Sequence, residues 1–172
     1  MDIRIGTVEE FRSLWHYSMS NTYNYFLDNI NKGIIEFWTV EVNGQFVAEL
    51  YIFWDSIDKD EANGIDRAYL CAFRVQKEYQ GKGIGSVLMR KVIHRIRYKG
   101  FKEVTIGIDN REYNKLKRLY EKFGFIEELK STYIDKHFLD KEGNPTIYKD
   151  KYKIYISRLI SYTFSAILIL QP

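Results

Sequence analysis

The chain carries a single cysteine, Cys71, so an intrachain disulfide framework is excluded and a reduced, cytoplasmic setting is the expectation. Its three histidines, His16, His94 and His137, fall at no metal-ligand spacing, and no metal is expected. Long apolar runs are scarce. The most apolar segment, "LISYTFSAILIL" at 159–170, is twelve residues long, short of the ~20 that span a bilayer. It reads as a packing tail, a final strand or a homodimer contact, and no membrane partner is expected. The opening "MDIRIGTVEEF" has no apolar signal core. Charge of one sign is also lacking: the net charge of +3 is too small to argue for nucleic acid. With only two prolines and eleven glycines, any glycine cluster stands out.

What remains is an ordinary globular composition, 45% apolar and 28% charged over 172 residues, enough for one domain with a real core. Aromatics reach 16%, with 14 tyrosines, which suits strands and pocket walls. Ile3 and Ile5 alternate with polar residues as a first strand. Thr7 and Glu10 have capping-box spacing at the head of a helix through "VEEFRSLWHYSM". "SNTYNYFLDNINKG" predicts a second helix ended by Gly33. "EFWTVEVNGQFVAELYIFW" predicts a hairpin turning at Asn43-Gly44. After a polar loop from Asp55 to Asp66, "RAYLCAFRV" is a third long strand. Its alternation sets Tyr69, Cys71 and Phe73 on one face and Leu70, Ala72 and Arg74 on the other.

Farther on, Leu88, Met89, Val92, Ile93 and Ile96 stripe one helix, which Gly100 ends. "KEVTIGID" is a strand, and "EYNKLKRLYEKFG" is a second amphipathic helix with Leu116, Leu119, Tyr120 and Phe123 inward. "FIEELKSTYID" and "YKIYISRLI" close as two strands. The order is strand, helices, three strands, helix, strand, helix, two strands: one mixed α/β layer structure. Residues 1–158 would form the domain and 159–172 an appended tail.

Chemistry is concentrated in "VQKEYQGKGIGSVLMRKV" at 75–92. Three glycines immediately before a helix place flexible, unshielded amides at a terminus that favours anions. Gly81, Gly83 and Gly85 admit close approach, Ser86 adds a hydroxyl and Lys82 a cation. A nucleoside-triphosphate P-loop is excluded, because the spacing does not match. A dinucleotide turn fits poorly: Ser86 stands where the third glycine belongs, and "QKEYQ" separates the strand from the turn.

Gln80-Gly81-Lys82-Gly83-Ile84-Gly85 resembles the Gln/Arg-x-x-Gly-x-Gly/Ala acetyl-CoA signature of the GCN5-related N-acetyltransferases, the GNAT superfamily. "LYEKFGF" at 119–125 resembles a second block of that family, at matching spacing. The resemblance implies a mixed, mainly antiparallel sheet whose central parallel pair splays apart, flanked by helices. It implies an N-acetyltransferase using acetyl-CoA as cosubstrate on a primary amine, small molecule or peptide, by direct attack in a ternary complex. The amides from Gly81 to Ser86 would hold the pyrophosphate. The backbone of Phe73, Arg74 and Val75 would pair with the pantetheine arm, and an N–H near Phe73 would polarise the thioester carbonyl. Tyr120 matches the family's general acid for the departing sulfur.

Two positions depart from the family pattern. Tyr113 and Leu116 stand where asparagine and alanine are usual, leaving Asn110 and Asn114 as candidates for the pantetheine arm. For the general base the candidates are Glu49 and Asp66, from their places in or just before central strands. Cys71 has a covalent reading and a plainer one, a small residue in a buried strand; the plainer one is preferred. The basic run from Lys82 to Lys102 reads mostly as a solvated helix face. Trp38, Trp54, Tyr51, Tyr23 and Tyr25 would supply aromatic walls for the acceptor, and Asp55, Asp58, Asp60 and Glu61 would attract its cation. A CoA-binding sensor or partner-binding module without turnover is the alternative from another class.

Overall fold

The computed structural model describes residues 1–14 and 20–159. β1 (Asp2–Ile5) pairs antiparallel with β2 (Ile35–Val42), and β2 with β3 (Gln45–Phe53). The turn between β2 and β3 is Asn43-Gly44, with φ of 51° and 77°, the left-handed pair that matches strand twist in a two-residue hairpin. β4 (Arg67–Val75) continues antiparallel to β3. α3 (Ile84–Tyr98) then carries the chain back, so that β5 (Glu103–Ile108) lies parallel to β4. α4 (Tyr113–Glu121) leads into a long hairpin of β6 (Glu127–Leu139) and β7 (Pro145–Arg158). β7 inserts between β5 and β6, giving a seven-stranded sheet in the order β1-β2-β3-β4-β5-β7-β6. The element order, the mixed sheet and its parallel β4–β5 pair agree with the sequence expectation.

Two short helices, α1 (Val8–Leu14) and α2 (Asn21–Asn31), precede β2. The capping box at α1 closes as expected. The Glu10 amide donates to Thr7 Oγ1 at 3.2 Å, and the Thr7 amide donates to Glu10 Oε2 at 2.8 Å. Ser20 caps α2 by accepting from the Tyr23 amide at 3.2 Å. The remainder of the first expected helix, and the apolar tail past Leu159, lie outside the described residues. Leu159 itself is buried, and its amide donates to the Lys102 carbonyl at 2.7 Å.

Each face of the sheet has its own core. On one, Leu50, Ile52 and Leu70 meet Leu88, Met89, Val92 and Ile96 of α3 and Tyr120 of α4. Side chains of this size are worth about 1.5–3 kcal/mol each when fully buried. On the other, Phe11 and Phe26 pack over Phe37, Tyr51 and Phe53. The Phe26 and Tyr51 rings meet edge to face at 5.2 Å, the geometry that their quadrupoles favour. Among the described residues no helix is long and apolar enough to cross a membrane.

Simple alternation fails in β4. Ala72 adopts a φ of +50°, and between Glu49 and Tyr51 of β3 the pairing slips from Arg74 to Cys71. This is a β-bulge, two residues facing one. Its effect is to turn Phe73 and Val75 onto the face that holds Leu70, while Cys71 and Ala72 pack with Tyr69. Phe73 therefore does not share the Tyr69 face, as the period of two had required.

Candidate active site

β4 and β5 pair only from Arg67–Glu103 to Leu70–Ile106. β4 runs on to Val75, so among the described residues its edge toward β5 has no strand partner from Cys71 onward. A cleft of about 670 Å³ opens there, bounded by β3, the end of β4, the glycine loop, the first turn of α3 and one side of α4.

The glycine loop forms the wall of this cleft. Gly81 and Gly83 have φ of 75° and 80°, and a Cβ on either would meet nothing within 4 Å. Gly83 is the N-cap of α3, so the amides of Ile84, Gly85 and Ser86 are first-turn donors with no intrahelical acceptor. Gly85 has a different task. A Cβ there would lie 2.8 Å from Phe73 Cζ and 3.2 Å from Val75 Cγ2, so its lack of a side chain lets α3 dock closely on the end of β4. Gln80 braces the loop by donating from Nε2 to the Val75 carbonyl at 2.9 Å. Lys82 is not in the cleft wall; its ammonium lies 5.2 Å from the Tyr79 ring centre.

Of the residues singled out in the sequence, the structure gathers Glu49, Phe73, Arg74, Val75, Gln80, Gly81, Gly83, Ile84, Gly85 and Ser86 around this cleft. Glu49 Oε1 is 2.5 Å from Arg74 Nε, and Glu49 Oε2 accepts from the Tyr51 hydroxyl at 2.9 Å. Tyr120 does not line the cleft. It packs behind a residue that does: its ring centre is 6.4 Å from that of Phe73 and 6.1 Å from that of Phe125. Burial pushes the Tyr120 phenol up, so the proton is held tightly.

Others are placed elsewhere. Asn110 donates to the Lys151 carbonyl, Asn114 is exposed, and neither lines the cleft. Asp66 sits at the start of β4, the end away from the glycine loop, where it accepts from Asn63 Nδ2 at 2.9 Å. Cys71 is likewise absent from the wall, and burial pushes its thiol up, which keeps it protonated.

The expected acceptor region comes apart. Trp38 and Trp54 belong to the α3 face, whereas Tyr23, Tyr25 and Tyr51 belong to the α1/α2 face. The acidic loop is answered by lysines: Asp58 pairs with Lys130 at 2.6 Å and Lys136 at 3.5 Å, and Asp55 with Lys59 at 2.5 Å. Glu61 is buried beside His137 and Tyr152. The sequence reading missed Leu14, Phe46, Val47, Glu112 and Lys115, all in the cleft wall. Glu112, Lys115, Leu116 and Leu119 follow helical spacing along one side of α4, and that signal was available.

The model of the Acetyltransferase (GNAT) family matches residues 5–125. The chain belongs to this family. Among GNAT relatives it is 36% identical over 73 residues to the ribosomal protein bS18 alanine N-acetyltransferase of Haemophilus influenzae, covering 42% of this chain and 49% of that protein. It is 33% identical over 78 residues to a probable spermine N(1)-acetyltransferase of Bacillus subtilis subsp. natto, covering 44% of this chain and 49% of that one. The matches thus span about half the length of these curated relatives. Among solved GNAT structures, the ribosomal-protein-S18-alanine N-acetyltransferase from Escherichia coli superposes with a TM-score of 0.66 at 16% identity, over 92% of this chain and 93% of that one. A GNAT family acetyltransferase from Elizabethkingia anophelis with acetyl-CoA bound gives 0.55 at 19% identity, over 92% and 97%. At such identities the likeness is one of fold.

Proposed function

We propose that this GNAT-family chain is an acetyl-CoA-dependent N-acetyltransferase that acts on a primary amine. One observation carries the reading. The first-turn amides of α3 and the open glycines Gly81 and Gly83 face the same cleft as the unpaired edge of β4. Such a helix terminus behaves as roughly +0.5 of a charge and favours a phosphate. A free strand edge accepts an extended arm by backbone hydrogen bonding. The residues therefore fit a ligand with a diphosphate at one end and an amide-bearing chain at the other.

Acetyl-CoA, when bound, supplies an acetyl group activated as a thioester. The chain's own residues have separate tasks around it. Gly81 to Ser86 hold the diphosphate, and the backbone of Phe73 to Val75 orients the arm. Glu49, which with Glu112 makes up the carboxylates of the described cleft wall, takes the proton from the acceptor ammonium. Tyr120, its phenol pushed up by burial, keeps a proton at Oη for the departing sulfur. The acceptor's identity is not carried over from relatives, whose names give a ribosomal protein alanine in one case and spermine in the other.

Calorimetric titration with acetyl-CoA, followed by thiol release over a panel of amines, tests the proposal. Binding with release is the expected result. Binding without release from any amine would favour a CoA-binding module, a reading helped by the position of Tyr120 outside the cleft wall.

A further inference from the structure

We infer that the acceptor is a small zwitterion, an amine with a carboxylate one or two carbons away, as in a free α-amino acid. The inference rests on the transferase reading above and narrows it.

Among the described residues the charged groups in the cleft wall are Glu49, Arg74, Glu112 and Lys115, and they form two internally compensated pairs. Glu112–Lys115 is a rim pair, with side chains 56% and 65% exposed. Glu49–Arg74 is the inner one, at 2.5 Å, with side chains 10% and 33% exposed. An ammonium that approaches Glu49 competes with the Arg74 guanidinium. If the incoming group is an amine alone, it sets a second cation beside the guanidinium, with Glu49 the one carboxylate of the inner pair to answer both. An excess positive charge in a partly desolvated site is costly. An acceptor with both charges avoids this. Its ammonium replaces Arg74 at Glu49, and its carboxylate replaces Glu49 at Arg74. The guanidinium fork suits a carboxylate geometrically.

The same bookkeeping of charge disfavours a polyamine. A polycation needs uncompensated carboxylates, and among the described residues the cleft wall offers none. The acidic loop outside it is already matched by Lys59, Lys130 and Lys136. Beside the ion pair, Leu14, Phe46 and Val47 give the wall an apolar stretch suited to a hydrocarbon side chain.

The test is thiol release with acetyl-CoA and a matched set: leucine and other free amino acids, their amides, their decarboxylated amines, and spermine. The free amino acids should be favoured over amide and amine by roughly ten-fold or more in kcat/KM, the scale for a partly exposed charge pair. Arg74→Gln should collapse the acid-to-amide ratio toward one, and Arg74→Lys should reduce it less. Equal or better use of the amide, the amine or spermine would overturn the inference. So would a ratio that Arg74→Gln leaves intact, or failure of every amino acid to react. Acetyl-CoA titration of the same preparation separates the two levels. Binding together with turnover of some other amine leaves the transferase standing without the zwitterion; absence of binding removes both.

Discussion

Nδ1 of His137 lies 3.5 Å from Oε2 of Glu61, and both side chains are almost wholly buried. The histidine is wedged against Phe53 and Tyr69, with ring centres at 4.4 and 5.0 Å. On its other side, Nε2 meets Ser56 Oγ at 3.1 Å. The pair ties the loop after β3 to the β6–β7 hairpin, and neither member touches the cleft.

That burial sets a pH dependence of stability. Burial pushes the Glu61 carboxyl up from 4.5 to about 8, with Asp58 adding to it, and pushes the His137 imidazole down from 6.5 to about 4. For Glu61 the folded state holds the extra proton, so stability is lost as pH rises from about 4.5 to about 8. For His137 the unfolded state holds it, so stability is lost as pH falls from about 6.5 to about 4. Between 4.5 and 6.5 the two slopes oppose each other. Thermal melts should therefore show a shelf in that window, with losses above it toward 8 and below it toward 4. Glu61→Gln should flatten the alkaline limb. An unchanged limb would place the titration elsewhere.

Gly85→Val should separate α3 from β4. The new side chain has no room beside Phe73 and Val75, and overpacking of this kind costs about 1–3 kcal/mol. Denaturant melts would read the loss, and acetyl-CoA titration should weaken in parallel because the loop moves with the helix. A variant of wild-type stability would contradict the close approach.

Ala72 holds a left-handed conformation that costs an L-residue roughly 1–2 kcal/mol. Ala72→Gly should raise stability by up to about 1 kcal/mol, and Ala72→Val should lower it by about 1–3 kcal/mol. Guanidinium midpoints of the two variants should fall on opposite sides of wild type. The same sign for both would argue against the bulge.

Tyr120→Phe removes one oxygen from a buried ring and leaves its packing on Phe73 and Phe125. Turnover should fall by about 10²-fold or more, with acetyl-CoA affinity kept. Full activity in the variant would take the proton-donor role away from Tyr120.

Local signals made most of the fold legible in advance. Asn43-Gly44 announced its hairpin, Thr7 and Glu10 their cap, and the apolar stripe of α3 its buried side. The turn before α3 was legible for the same reason, since its glycines lie close together in the chain, and they do line the cleft. What escaped was set by partners distant in the chain. The slip at Ala72 depends on how β4 registers against β3, and it moved Phe73 to the other face. Asp58 reads as a lone acid until Lys130 arrives from β6. Asn110 looked available for a ligand, yet a carbonyl of β7 claims it. Glu49 was picked out by position alone; its salt bridge to Arg74 appears only once the two strands are laid side by side.

The placement of β7 between β5 and β6 has a consequence for biosynthesis. Every strand from β1 to β4 can find its neighbours as soon as they are made, because each pairs with the strand before it or the one next in line. β5 then presents an open edge until Lys153–Arg158 emerges, since only that stretch pairs with it. A nascent chain stalled in α4 or β6 therefore leaves the backbone groups of Glu103–Ile108 unpaired along the edge away from β4, an edge prone to pairing with other chains. Of the described strands, the last one made is the one that closes the sheet.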